Sequence, residues 1–313
     1  MGDSGEYNLA YFYIKAFEDL GHQVKFVNQY QGVRFRFIWR YAITRFNSKI
    51  LQEKNSINTS IFQILNDFEP DTILIFKGEL ISTQTLKFIS DNYKMSLFYG
   101  DALRYKNSTL KGRLGYFKSV FSQGTQLDEF KKLGAQKVVT IPFACEPSFH
   151  KYLNLPKIYP IVFIGTFYPE RYSILNKLER KNSLNVFGNH WILKPGQVND
   201  PVYGENYVKT INSSLISLNI HNKSDFVIDG PNMKTFEILG CGSLLVTDKV
   251  NSMGKYFSKS QYESYGDIEE LNEIVEYFID NPEEAKEIGI KAREQCLLKH
   301  TYSIRAKEVL KNL

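Results

Sequence analysis

The chain has 313 residues, enough for about two domains. Hydrophobic residues make up 43% and aromatics 14%, so a large core is available and global disorder is excluded. The net charge of +5 suits anionic small molecules or an acidic membrane surface, and it is far from that of a nucleic-acid-binding tail.

The three cysteines, Cys145, Cys241 and Cys296, form no Cys-x-x-Cys pair and no disulfide framework, which fits a reducing cytoplasm. No run of about twenty apolar residues exists, so no transmembrane helix is expected. Residues 2–5, Gly-Asp-Ser-Gly, read as the turn that follows a first strand, although no strand precedes them. Leu9, Phe12, Tyr13, Ala16, Phe17 and Leu20 share one face of an amphipathic helix, and residues 24–27 read as a strand. Residues 31–50 are basic and aromatic. Phe35, Ile38, Trp39, Ala42, Ile43 and Phe46 lie on one helical face, with Arg36 and Arg40 opposite. Two readings stand: a cover helix with solvated arginines, or a helix resting on an anionic membrane or holding a lipid-linked acceptor.

Helices over 57–67, 82–92 and 125–133 alternate with strands over 72–76, 95–99, 118–122 and 137–141. This βαβα order predicts a parallel, doubly wound sheet. Ligands of such sheets lie at the carboxyl ends of strands. Lys77, Glu79 and Asp101 follow strand ends and are candidates for contacting an acceptor, with a plain turn role as the other reading. Residues 142–160 are proline-rich and weakly periodic, so domains are expected over 1–150 and 151–313. The α/β pattern then restarts with strands over 161–164, 184–187 and 215–220, a helix over 205–213, and helices over 268–279, 282–299 and 302–310.

One stretch carries the chemistry: Asp229-Gly-Pro-Asn-Met-Lys-Thr-Phe-Glu237, then Ile238-Leu-Gly-Cys-Gly242 and an apolar strand over 243–247. Asn232 is a good N-cap, and Met233, Phe236 and Leu239 fall on one helical face. The helix N-terminus offers N–H groups and a positive dipole end to a phosphate. Lys234 adds a cation in the first turn, where a lysine is disfavoured unless something negative sits nearby. Upstream, Gly165 permits close backbone approach at a strand end, and Arg171 can clamp a phosphate in two bonds. Gly188 and Asn189 end the next strand and suit a base pocket. His190 and His221 also stand near strand ends, and His300 is placed to cap a helix C-terminus. No serine-hydrolase elbow, Walker loop, zinc-protease motif or dinucleotide fingerprint is present. Nothing visible requires a metal, and no Asp-x-Asp pair occurs.

The acid at 229, the Glu eight positions later and the Cys-Gly turn resemble the donor motif of retaining glycosyltransferases of the GT-B fold. Pro231-Asn-Met-Lys-Thr-Phe-Glu237 resembles the Pro-Asn-x-Arg-x-Phe-Glu signature of the spore maturation protein CgeB-like glycosyltransferases, with Lys234 in place of Arg and Asp229 where many GT-B enzymes have Glu. The stretch Pro-Asp-x-x-x-x-x-Lys-Gly ending at Gly78, the Phe163 to Arg171 loop and His300-Thr-Tyr-x-x-Arg305 fit the same family. The resemblance implies two Rossmann-like domains facing a cleft, the first for the acceptor and the second for a nucleotide-diphosphate sugar. It implies retention of anomeric configuration, Glu237 on the ribose, and a donor site lined from Phe163 to Arg171. Asp229 would then face the sugar, with Arg171 and Lys234 on the leaving diphosphate. The sugar, the base and the acceptor (glycan, lipid-linked or protein) stay open. A nucleotide-sugar epimerase or phosphorylase, or a catalytically silent protein of the same fold, are the other readings.

Overall fold

A computed structural model describes residues 7–28, 56–101, 103, 110–222 and 229–313. The basic aromatic segment with Arg36 and Arg40, and the loop over residues 2–5, lie outside the described residues. The chain divides into two compact units: Met1–Pro142 with Arg305–Leu313, and Phe143–Ile304. The break falls within the proline-rich segment. The return of the last nine residues to the first unit differs from the expected division at 150/151.

In the first unit, helix α1 (Leu9–Asp19) starts at Asn8, whose side chain accepts the Tyr11 N–H at 3.1 Å. It buries Ala10, Phe12, Tyr13 and Ala16. Residues 24–27, expected as a strand, form none, and Val27 serves the core instead. The chain continues through α2 (Ile57–Phe68), β1 (Thr72–Phe76), α3 (Thr83–Asn92), β2 (Lys94–Tyr99), β3 (Ser119–Ser122), α4 (Leu127–Lys132) and β4 (Val138–Thr140). The described strands form one parallel sheet in the order β1-β2-β3-β4. The chain end is tied to it, with Ser119 Oγ donating to the Asn312 carbonyl at 2.7 Å.

The second unit runs through β5 (Tyr159–Ile164), α5 (Pro169–Leu175), β6 (Leu184–Phe187), β7 (Gln197–Asn199), α6 (Gly204–Asn212), β8 (Ser214–Asn219), α7 (Met233–Gly240), β9 (Leu244–Asp248), β10 (Glu263–Tyr265), α8 (Ile268–Asp280) and α9 (Pro282–Lys299). The last helix, α10 (Tyr302–Leu310), leads into the residues that belong to the first unit. Its six strands are all parallel in the order β10-β9-β8-β5-β6-β7. Every residue of β8 and β9 is buried, as expected of strands covered on both faces. From the central β5 the chain winds outward to β7, then returns to β8 on the opposite side of β5. The winding direction therefore reverses between the paired strands β5 and β8, and the carboxyl ends of strands at such a reversal are the usual ligand position. Among the described residues no helix is long and apolar enough to cross a membrane.

Candidate active site

The carboxyl ends of β5 and β8 gather most of the residues singled out from the sequence. Helix α7 begins beside them. Its N-cap Asn232 accepts the Thr235 N–H at 3.2 Å through Oδ1. The same carboxamide pairs reciprocally with that of Asn219, the last residue of β8, at 3.1 and 3.2 Å. The start of α7 is thus fastened to the sheet edge where a ligand is expected. Met233 opens the helix and is half-buried.

Lys234 reaches back from the first turn of α7 to the end of β5. Its Nζ donates to the Ile164 carbonyl at 2.6 Å and lies 5.9 Å from the Phe163 ring centroid. A side chain on Gly165 would come within 3.1 Å of that ammonium, so glycine here keeps the strand end open to it. Gly188 is more constrained: a Cβ there would sit 2.0 Å from the Gly165 carbonyl oxygen. The loops after β5 and β6 are zipped together across this contact. Gly165 N–H donates to Phe187 at 2.8 Å, Phe167 N–H to Asn189 at 3.0 Å, and the Trp191 indole N–H to Gly165 at 2.7 Å. The Asn189 amide in turn donates to the Tyr203 hydroxyl at 3.0 Å, and both side chains are exposed.

Arg171 differs from expectation. Its guanidinium, read from the sequence as a phosphate clamp, is only 6% exposed. Nε donates to the Ile220 carbonyl and Nη1 to the Thr166 carbonyl, each at 3.1 Å. The Tyr168 ring lies over it at 5.0 Å. Two main-chain acceptors just past strand ends take up two of its five N–H donors, so Arg171 braces the β5 loop against the end of β8.

Glu237 is also more enclosed than the sequence suggested, at 5% exposure. Tyr207, in α6, donates its hydroxyl to Glu237 Oε2 at 2.6 Å. On the other side His150 Nε2 lies 3.8 Å from Oε1. Burial raises the Glu237 carboxyl above its ordinary range, against the Tyr207 hydrogen bond and the charge of Lys234. Burial also pushes the His150 imidazole down to about 3, so it is neutral. His150 Nδ1 accepts the Glu146 N–H at 2.9 Å, which leaves the ring proton on Nε2, the nitrogen facing Glu237.

Asp229 precedes the helix with a left-handed backbone, φ +46°. Its Oδ1 accepts the Ser252 N–H at 3.3 Å, and its carbonyl accepts the Ser252 hydroxyl. His221 lies two residues past β8 and pairs with Asp248 at 2.6 Å. His190 is exposed, with a left-handed backbone at φ +67°. His300 stands at the C-cap of α9, as expected. In the first unit, Lys77 and Asp101 meet at 2.7 Å, while Glu79 is buried beside Arg113, whose pKa burial lowers to about 10 against the pull of Glu79. Among the described residues no group of three or more His, Cys, Asp or Glu side chains is placed to hold a metal ion.

Sequence reasoning missed Tyr207, His150, Asn219 and Asp248. Asp248 had a usable signal, as the polar residue closing an apolar strand. Tyr207 lay on a helix recognised as such, but nothing local marks its partner thirty positions away.

A family model described as glycosyl transferase-like matches residues 171–311. No curated protein matches the sequence. Among solved structures, sucrose-phosphate synthase from Thermosynechococcus elongatus is 12% identical at a TM-score of 0.67, covering 99% of this chain and 93% of that one. Anabaena HepE in complex with UDP-glucose is 10% identical at a TM-score of 0.62, covering 84% of each. A UDP-forming α,α-trehalose-phosphate synthase from Burkholderia xenovorans is 10% identical at a TM-score of 0.59, covering 88% and 85%. The fold is that of the GT-B glycosyltransferases, α/β with two Rossmann-like units. On the family match, the chain is an enzyme of the glycosyltransferase type.

Proposed function

We propose that the second unit binds a nucleotide-diphosphate sugar at the carboxyl ends of β5 and β8, and that the enzyme transfers the sugar to an acceptor hydroxyl. The observation that carries this reading is the convergence of Lys234, the N-terminus of α7 and the Gly165 strand end at the point where the sheet reverses its winding. In the reaction the bond between the anomeric carbon and the diphosphate oxygen breaks, and its electron pair leaves with the diphosphate. The acceptor oxygen bonds to the anomeric carbon and gives up its proton. The chief electrostatic task is to stabilise the departing diphosphate, through Lys234 and the helix N–H groups and without a metal ion in that role. Glu237 accepts hydrogen bonds from the ribose hydroxyls, and Tyr207 holds it in place. Asn189 and Tyr203 line the base. Asp229 orients the sugar. Arg171 acts as a brace for the β5 loop.

UDP-glucose bound to HepE supports a nucleotide-sugar donor of this kind. Retention of configuration rests on the likeness of the Asp229–Gly242 stretch to the donor motif of retaining GT-B glycosyltransferases. Lys77, Glu79 and Asp101 are proposed for the acceptor side. The test is incubation with UDP-, GDP-, ADP- and TDP-sugars while free nucleoside diphosphate is followed and the sugar product identified. Release of the diphosphate with a transferred sugar supports the proposal. A new sugar isomer would make the protein an epimerase, and binding without turnover a silent member of the fold.

A further inference from the structure

His221 and Asp248 form a buried pair at the same end of the sheet. In the parallel register of β8 and β9, Asn219 stands opposite Thr247. His221 lies two residues past Asn219 and Asp248 directly after Thr247, and they are 3% and 7% exposed. The Asp248 carboxylate accepts the His221 main-chain N–H at 3.2 and 3.1 Å, the His221 ring Nδ1–H at 2.6 Å and the Thr247 hydroxyl at 3.1 Å. A carboxylate so supplied with donors is satisfied as an anion and fixes the ring orientation. With its proton on Nδ1, the ring has a lone pair on Nε2, and that nitrogen accepts the Asn232 main-chain N–H at 3.3 Å. The other tautomer would set two N–H groups against each other. Asn232 is the N-cap of α7, and its side chain is already held by Asn219. Main chain and side chain of the cap are therefore both fixed, one by the His221–Asp248 pair and one by β8.

We propose that Asp248 and His221 are positioning residues that aim the N-terminus of α7 at the donor diphosphate, an inference that rests on the donor-site reading above. Neither touches the ligand. Both act through the Asn232 amide, which sets where the first turn of α7 points its N–H groups and Lys234. Electrostatic stabilisation of a leaving group depends on donors held in place before the charge develops, so a cap released from the sheet weakens the diphosphate site selectively.

Three variants separate this role from a general structural one. His221→Asn keeps a donor for Asp248 but is too short to accept from Asn232. Asp248→Asn lets an amide N–H donate to Nδ1, which shifts the ring proton to Nε2 and opposes the Asn232 N–H. His221→Gln places its amide oxygen near the position of Nε2 and restores the acceptor. The probes are UDP, GDP and ADP, and the nucleoside of whichever binds the wild type most tightly, titrated calorimetrically into folded protein. His221→Asn and Asp248→Asn are expected to bind that diphosphate about 10-fold or more weakly, as supporting-residue changes at binding sites commonly do, and to bind the nucleoside unchanged. His221→Gln is expected to stay close to wild type, with its Asn232 amide still protected from hydrogen exchange. Equal losses for nucleoside and diphosphate, or undiminished diphosphate binding by His221→Asn, would overturn the inference while leaving the donor site standing. A wild type that binds none of the three diphosphates would remove the donor-site reading and this inference with it.

Discussion

At the ends of β1 and β2, Lys77 and Asp101 pair at 2.7 Å with side chains 33% and 49% exposed. At the ends of β5 and β8, Arg171 and Lys234 donate to main-chain carbonyls, and Glu237 is enclosed between Tyr207 and His150. An exposed ion pair in water contributes little and rearranges readily. A buried charge bonded to the backbone is costly to move and holds its neighbours in register. The second unit thus carries a site that is organised before any ligand arrives, whereas the corresponding strand ends of the first unit keep an adjustable pair. Under the proposed function, that contrast suits a nucleotide diphosphate of fixed shape on one unit and a variable acceptor on the other.

The sharpest way to break the contrast is Arg171→Ala. It strips one buried and one half-buried carbonyl of a charged donor and is expected to cost about 2–4 kcal/mol, read as a lower urea midpoint. Near-wild-type stability would contradict the bracing role of Arg171. Acid sharpens it next. His150 is held neutral, with its pKa lowered from 6.5 to about 3, so the unfolded chain binds a proton there that the folded protein does not. Its contribution is complete above pH 6.5 and is lost as pH falls from 6.5 toward 3, at up to about 1.4 kcal/mol per pH unit. Glu237 works in the opposite sense: with a raised folded pKa, it lowers stability as pH rises out of the ordinary carboxylate range. Replacing His150 by Gln should therefore flatten the acid limb of urea midpoints measured between pH 5 and 7, and an unchanged slope would refute the assignment.

Tyr207→Phe is a smaller change. It removes one hydrogen bond to Glu237 and should cost about 1 kcal/mol in stability, with a few-fold loss of nucleotide affinity. Loss of stability with unaltered affinity would make the contact purely structural. The mildest is Lys77→Ala, expected to alter stability by less than about 0.5 kcal/mol because the pair is solvated. Donor affinity should stay as it was while transfer slows. Unchanged transfer would remove Lys77 from the acceptor side.

Much of this arrangement was legible in the sequence where local rules apply. The Asn232 cap, the start of α9 at Pro282 and the apolar strands were read correctly, because capping, proline placement and buried parallel strands leave their marks within a few residues. The three-residue edge strands β7 and β10 escaped, being too short to show alternation. Residues 24–27, Val-Lys-Phe-Val, carry strand-forming residues yet form no strand. At the candidate site, the spacing of the residues was legible but their burial was not. Arg171 is enclosed because Ile220, forty-nine residues on, offers it a carbonyl. Glu237 is enclosed because Tyr207 and His150 arrive from other elements. Spacing along one helix identifies a face. It does not reveal what the rest of the chain brings to that face.

If the proposed function holds, α7 and its Glu237 form a nucleotide site rather than a purely structural helix. Calorimetric titration of UDP, GDP and ADP into folded wild type and Glu237→Gln tests it most directly. Gln is nearly the same size and can still accept from Tyr207, so the fold should persist. The charged acceptor for ribose hydroxyls is gone, and each such bond is typically worth about 1.5–3 kcal/mol. Affinity for the preferred diphosphate is expected to fall about tenfold or more, a difference of about 1.4 kcal/mol at least. Undiminished affinity in the folded variant would contradict the proposed nucleotide site.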